Sequence, residues 1–286
     1  MKISIVILTM GDRPDELSRA IESTAPLRAS GAELVVVGNG GDAGPVPAGV
    51  TTVRLAENAG VAGGRNAGFR ASGGDVVLFL DDDAWYPEAA ALGEHVAARF
   101  AADPVLAVLS FRVTDPQGGS GGRWHVPRLR ASDPERSSVV TTFAGGVCAI
   151  RRSAYQEAGG QPEAFFFGHE ETDMSWRLLD LGYRIEYDAA VTVCHPAVHN
   201  ARHEAWYRLE ARNRVWLARR NLPWPLAVVY LADWVMITVL RERSRGALRA
   251  WFAGFAEGWR LDAGPRQPIS FRTAWRMAKA GRPPVI

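Results

Sequence analysis

Short apolar runs separated by glycine-rich turns fill the first two thirds of the chain. Ile3-Ser4-Ile5-Val6-Ile7-Leu8-Thr9 is almost continuously apolar, as a strand covered on both faces would be. Val76-Val77-Leu78-Phe79-Leu80 is too short for an ordinary helix and follows Ser72-Gly73-Gly74-Asp75, so it also reads as a buried strand. Further strands are expected at Glu33 to Val37, Thr52 to Leu55, Val105 to Phe111, Thr141 to Ile150, Ile185 to Tyr187 and Ala190 to Val193. Between them lie helical spacings. Pro14 precedes a stripe of Leu17, Ala20, Ile21 and Ala25, a helix should carry Phe69 and Ala71, and Trp85 to Phe100 holds Pro87 in its first turn. Met174, Arg177, Leu178 and Leu181 set another. Strands alternating with helices predict an α/β domain with a mostly parallel sheet, whose ligands bind beyond the carboxyl ends of the strands.

The polar punctuation falls at those ends. The Val76 strand runs into Asp81-Asp82-Asp83, and strand alternation would turn Asp81 and Asp83 to one side and Asp82 to the other. Two like charges that close call for a cation, and Mg²⁺ or Mn²⁺ take oxygen ligands and share them with substrate phosphates. The segments Gly38-Asn39-Gly40-Gly41 and Gly60 to Gly68 read as loops that let backbone amides approach a nucleotide, with Arg65 for a phosphate and Asn66 for a sugar or base edge. Their spacing is wrong for a dinucleotide fingerprint, and no acid ends the next strand where one would be needed. Residues 115–138, rich in Gly and Pro, are expected to form an acceptor-side flap.

A second acidic group, Glu170-Glu171-x-Asp173, follows Phe165-Phe166-Phe167-Gly168-His169 at the start of the Met174 helix. Acids at a helix start are explained by the macrodipole alone. Crowded beside three phenylalanines, a carboxylate there would also hold its proton more tightly and could act as a general base. His195, at a strand end, reads either as a structural histidine or as a third metal ligand opposite the two aspartates.

Composition alters this picture only in the last third. The 286 residues carry a net charge of +2, but residues 201–286 hold about 16 Lys/Arg against about six Asp/Glu. Trp206, Tyr207, Arg208, Arg212, Arg214 and Trp216 make a basic aromatic helix, broken by Leu222-Pro223-Trp224-Pro225. Leu226 to Leu240 is apolar but contains Asp233 and is short for a bilayer crossing. Basic helices bearing Trp and Phe suit an anionic membrane surface, a helical cap or a homodimer contact. Nucleic acid is not expected, because the arginines alternate with bulky apolar residues. The boundary is drawn at 1–200 for the α/β domain and 201–286 for a helical extension. Two cysteines, Cys148 and Cys194, form no disulfide framework, and the N-terminal apolar run is too short for a signal peptide or a membrane span. A cytoplasmic location, peripheral on the inner face of the cell membrane, is therefore expected.

The order of motifs resembles that of the glycosyltransferase family 2 enzymes: Asn58-x-Gly60, Gly64-Arg65-Asn66-x-Gly68, Leu78-Phe79-Leu80-Asp81-Asp82-Asp83, Gly145-Gly146 ahead of Arg151-Arg152, Gly160, Glu170-Glu171-x-Asp173 with Arg177, Gly182-Tyr183 and His195. The likeness covers roughly residues 1–200 and is nearest to rhamnosyl- and galactofuranosyltransferase-like bacterial members. It implies a Rossmann-like GT-A fold and inverting transfer from a nucleotide-diphospho sugar (UDP- or dTDP-linked) to a glycan or lipid-linked acceptor of the cell envelope. It implies that Asp81 and Asp83 are a DXD pair, with Asp83 on the metal and Asp81 sharing it or holding the donor ribose. His195 resembles the late metal-binding histidine. Glu171 matches the base position, with Glu170 and Asp173 positioning the acceptor. Thr9, Asn39, Asn58 and Arg65 fall in nucleotide-binding segments, and Asn66 and Asp82 complete the donor-binding set. Two departures stand out. Gly38 replaces the Asp that many members use to meet ribose or base, and Glu171 replaces the commoner Asp.

Alternative functions are a sugar-phosphate nucleotidyltransferase and a catalytically silent membrane-associated partner protein. Met10-Gly11-Asp12-Arg13 is a poor match for the phosphate loop of the first, and intact acids at both groups argue against the second.

Overall fold

Alternate residues of the first strand, β1 (Ile3–Thr9), enter two different cores. Ile3, Ile5 and Ile7 join one cluster and Val6 the other. The strands β2 (Glu33–Asn39) and β4 (Val76–Asp81) divide in the same way, so the sheet is covered on both faces. The computed structural model describes residues 1–119, 127, 133–196 and 204–285. The remaining strands are β3 (Thr51–Leu55), β5 (Leu106–Thr114), β6 (Ser138–Val140), β7 (Val147–Arg151) and β8 (Arg184–Cys194). Their order in the sheet is β3-β2-β1-β4-β7-β5-β8-β6. The first four are parallel, whereas β7 runs antiparallel between β4 and β5 and β6 antiparallel to β8. Six of the eight strands thus run in one direction, so the sheet is mostly parallel as expected, with β6 and β7 reversed. The chain reverses its strand order at β1/β4, and the crevice beyond their carboxyl ends is where a ligand would sit.

On one face pack α1 (Pro14–Ser23), α2 (Ala25–Ala29) and α4 (Leu92–Ala102); on the other, α3 (Gly60–Ala71), α5 (Arg152–Glu157) and α6 (Glu170–Asp180). The C-terminal third forms α7 (Glu204–Asn221), α8 (Trp224–Arg241), α9 (Arg245–Arg260) and α10 (Phe271–Lys279). Composition changes at residue 200, but packing does not. Val215, Trp216, Leu217 and Ala218 of α7 lie in the same core cluster as Val6 and Phe79.

Three expectations change here. Gly60 to Gly68 is not a loop: it is most of α3. A methyl group at Gly64 would strike Leu8, and one at Gly68 would strike Val6, so these glycines bring the helix onto the sheet. The helix expected from Trp85 begins only at Leu92, because the Trp85 backbone pairs in both directions with Cys194 (2.9 and 2.8 Å). The two short strands at 185–187 and 190–193 are one strand, β8, with an irregularity opposite Phe111 and Arg112. Half of the expected flap at 115–138 lies outside the described residues.

Candidate active site

Parallel pairing sets Asp81 beside Leu8 at the end of β4, and the chain then turns, with the Ala84 amide donating to the Asp81 carbonyl (3.0 Å). Strand alternation thus ends at Asp81. Asp82 and Asp83 are placed by a turn and by Arg13, which leads into α1. Its guanidinium holds Asp82 Oδ1 (2.8 Å) and also grips Asp83 Oδ2. Asp82 is buried, and desolvation pushes its carboxyl up to about 6, with the Thr9 hydroxyl and Arg13 offsetting part of the effect. Thr9 is itself buried and accepts from the Gly11 amide (3.0 Å). Thr9 and Asp82 therefore stand behind the acidic turn, where the sequence reading had them touching the donor.

The Trp85–Cys194 pairing carries His195 to the same turn. Its Nε2 lies 3.3 Å from Asp83 Oδ1 and 3.9 Å from Asp81 Oδ2, while Nδ1 lies 2.8 Å from the Pro196 carbonyl. A carbonyl can only accept, so Nδ1 carries the hydrogen and Nε2 is directed at the two carboxylates. A histidine whose far nitrogen donates to a backbone carbonyl is oriented as metal-ligating histidines are. Among the described residues no three such side chains form a ready-made metal cluster. Asp81, Asp83 and His195 instead offer oxygen and imidazole donors on one open side. That suits a hard divalent ion that takes its other ligands from phosphate and water.

The second acidic group meets the first through Arg65. This buried side chain, from the middle of α3, donates from Nη2 to Asp81 Oδ1 (3.2 Å) and from Nη1 to Glu171 Oε1 (3.0 Å), with Glu170 Oε1 at 3.7 Å. Three carboxylates around one desolvated guanidinium hold its proton more firmly than usual. The loop at Gly145-Gly146 presses against this bridge. A methyl at Gly146 would overlap the Asp81 carboxylate, and one at Gly145 would overlap both Arg65 and Glu171.

The properties expected of one carboxylate are divided between two. Glu170 is 2% exposed, its Oε2 has no hydrogen-bond partner, and burial followed by the charge of Glu171 raises its proton affinity well above that of an ordinary carboxylate. Glu171, with its side chain 21% exposed, is open to solvent, whereas Glu170 is closed off from it.

The turn before these acids is bent, with positive φ at Phe166 (64°) and His169 (71°). It is held from both sides. Asn213 of α7, fully buried, donates to the carbonyls of Phe165 (2.9 Å), Phe167 (2.9 Å) and Gly168 (2.8 Å), and the Val61 amide of α3 donates to the Phe166 carbonyl (2.7 Å).

Three further expectations are overturned. Asp173 is 0% exposed and saturated: Oδ2 accepts from Arg177 (2.9 and 2.6 Å), and Oδ1 accepts from Arg220 (2.9 Å) and Asn221 (2.6 Å). It bolts α6 to α7 and cannot position an acceptor. Asn66 is buried with its amide committed to the Gln161 carbonyl and Glu163 (both 2.9 Å) and its oxygen to Tyr155 and the Gln161 amide. Asn39 is likewise buried, bonded to Asn58 (3.0 Å), the Gly60 carbonyl (3.2 Å) and the Ala59 amide (2.8 Å). Asn39 fixes the start of α3 and Asn66 ties the middle of that helix to the 155–163 segment, so the polar atoms of both are taken up inside the protein. Asn58 remains exposed at the rim. Sequence reasoning passed over Asn213, Arg220 and Asn221, which sit in a helix whose pattern says only basic and aromatic. Arg13 entered the sequence reading only within Met10-Gly11-Asp12-Arg13.

Comparisons with known proteins identify the family and the fold. A family model described as Glycosyl transferase family 2 matches residues 4–159, and one described as N-terminal domain of galactosyltransferase matches residues 127–199. The chain is 26% identical to the pre-mycofactocin glycosyltransferase of Mycobacterium tuberculosis (strain CDC 1551 / Oshkosh), over 97% of this chain and 57% of that protein. It thus spans little more than half the length of that relative. Three solved structures share the fold. GalNAc-T7 with UDP, GalNAc and Mn²⁺ has a TM-score of 0.63 at 17% identity, covering 99% of this chain and 55% of that one. Staphylococcus aureus TarS 1–349 has 0.60 at 15%, covering 90% and 81%. The mannosyltransferase PcManGT from Pyrobaculum calidifontis, with GDP-Man and Mn²⁺, has 0.56 at 19%, covering 97% and 79%.

Proposed function

Because the chain belongs to glycosyl transferase family 2 and has the GT-A fold, we propose that it moves a sugar from a nucleotide-diphospho sugar to an acceptor hydroxyl with inversion at the anomeric carbon. The observation that carries this reading is the single guanidinium of Arg65, which joins the acidic turn of β4 to the first turn of α6. In this reading Glu171 takes the acceptor proton, and the hydroxyl oxygen attacks the anomeric carbon from the face opposite the leaving diphosphate. The C–O bond to the diphosphate breaks as the new one forms, so no covalent enzyme intermediate is required.

Asp81, Asp83 and His195 would hold Mg²⁺ or Mn²⁺ against the diphosphate. When bound, the ion neutralises charge on the departing nucleoside diphosphate. Mn²⁺ in two of the solved relatives supports this assignment. Arg13 keeps Asp82 and Asp83 from repelling each other, and Arg65 does the same for Asp81, Glu170 and Glu171. Solved relatives carry UDP, UDP-GlcNAc or GDP-Man, so the shared element is the nucleoside diphosphate. A side chain at Gly38 would collide with the Gly41 carbonyl, so no carboxylate can reach the base from that position. Base selection falls instead to the rim, where Asn58 is exposed.

The test is nucleoside diphosphate release from a panel of UDP-, dTDP- and GDP-sugars with and without Mn²⁺, followed by NMR of the product's anomeric proton. Release that needs the metal and is lost in Asp83→Ala, with an inverted product, is expected. A retained configuration would overturn the mechanism.

A further inference from the structure

Helix α8 is apolar on the face it shows to solvent. Its buried side, Ala227, Tyr230 and Leu231, packs on the core shared with α7. The opposite side carries Val228, Val229, Met236, Val239 and Leu240, each between 46% and 65% exposed. With Pro225 and Ala232 these positions repeat at helical spacing and form one stripe along the 18-residue helix, about 27 Å long. A surface helix of a soluble domain carries polar residues there, and a continuous apolar stripe of this length marks a contact face.

We propose that this stripe lies flat on a membrane leaflet rich in anionic lipid. Three observations favour lipid over a second copy or another protein. Exposed Arg241, Arg243 and Arg245 continue directly from the end of the stripe. Near its start, Arg266 stacks over the exposed Trp224 (4.3 Å), an apolar ring under a cation. The neighbouring α10, whose Ala274 and Met277 share a core cluster with Ala227 and Tyr230, repeats the pattern with Phe271 and Trp275 exposed and Lys279 over the Trp275 ring (5.7 Å). Apolar side chains rimmed by arginine and tryptophan match the acyl and headgroup levels of an anionic leaflet. The acids nearby are few. Glu242 is engaged by Tyr207 (2.6 Å), and Asp233 is half-buried beside the stripe.

The helix is long and apolar enough to cross a bilayer, but its packing opposes crossing. The buried Arg214 guanidinium stacks on Trp234 (3.3 Å) and donates to Tyr230 (3.1 Å), so inserting α8 would drag that charge into the hydrocarbon or strip it of its partners. Lying flat keeps both. This inference is independent of the catalytic reading.

The experiment is flotation of the full chain with phosphatidylcholine vesicles, with and without phosphatidylglycerol. The parent should float with the anionic vesicles. The triple variant Val228→Glu, Met236→Glu, Leu240→Glu should lose at least about tenfold in bound fraction, with an unchanged melting temperature and unchanged nucleoside diphosphate release in solution. The second variant, Arg241→Gln, Arg243→Gln, Arg245→Gln, should weaken anionic binding roughly a hundredfold. A parent that stays at the bottom overturns the proposal; if sedimentation then shows a dimer that the glutamates split, the stripe is a self-contact. Equal flotation of the parent and both variants also overturns it.

Discussion

Asp81 and Glu171 bind the two ends of one guanidinium: Arg65 Nη2 on the first at 3.2 Å and Nη1 on the second at 3.0 Å. The carboxylate proposed for the metal and the one proposed for the acceptor are thereby set at a fixed spacing by a planar, always charged fork. Lysine cannot reproduce that geometry. Arg65→Lys should keep the charge yet lower kcat about a hundredfold, since it loosens the spacing between the reacting groups. Steady-state turnover with a saturating donor checks this.

Removing the buried Glu170 carboxylate beside this bridge, whose Oε2 has no hydrogen-bond partner, should stabilise the protein in a pH-dependent way. The folded state holds the Glu170 proton more tightly than the unfolded chain does. Its favourable contribution is thus present below the ordinary glutamate range and lost as pH rises through the raised folded value. Glu170→Gln should therefore gain in melting temperature over the parent as pH increases from 5 to 8. A difference that is flat across pH would show that Glu170 is not protonated in the fold.

Asn213 touches no reacting atom, so its role is in placing the turn that carries Glu171. Asn213→Ala strips the Phe167 and Gly168 carbonyls of this donor, leaves the Phe165 carbonyl only Arg212 and the Phe167 amide, and should cost about 1–3 kcal/mol of stability. It should also lower kcat more than it raises the donor KM, because the acids move while the β4 turn does not. An equal effect on both constants would mean that α7 supports the fold alone.

Glycines in α3 test the packing argument. Alanine is the better helix former by about 1 kcal/mol, but overpacking costs about 1–3 kcal/mol. The added methyl of Gly68→Ala would meet Val6, whose branched side chain cannot swing away, whereas that of Gly64→Ala would meet the flexible end of Leu8. Gly68→Ala should be net destabilising and Gly64→Ala closer to neutral, as thermal melts would show.

Strand content was legible because apolar runs of five to seven residues bounded by glycine have few other readings, and β1, β2 and β4 lie where the pattern put them. The acidic groups and His195 stood out in the sequence because three carboxylates crowd one strand end and three more one helix start. What they do individually was not legible. Asp173 reads as part of an acidic motif, but only the fold reveals that Arg177, Arg220 and Asn221 consume it. The glycines of α3 misled for a related reason: glycine signals a loop along the chain, and close helix-to-sheet contact appears only once β1 is opposite. Arg13 and Asn213 bear on the site through contacts between distant segments, which no local spacing encodes.

The central claim is that Glu171 removes the acceptor proton while the β4 acids hold the donor. The most direct measurement is Glu171→Gln followed in parallel for Mn²⁺-dependent nucleoside diphosphate binding and for sugar transfer. Binding should match the parent while transfer falls about 10²–10⁴-fold. Full transfer by this variant would contradict the account.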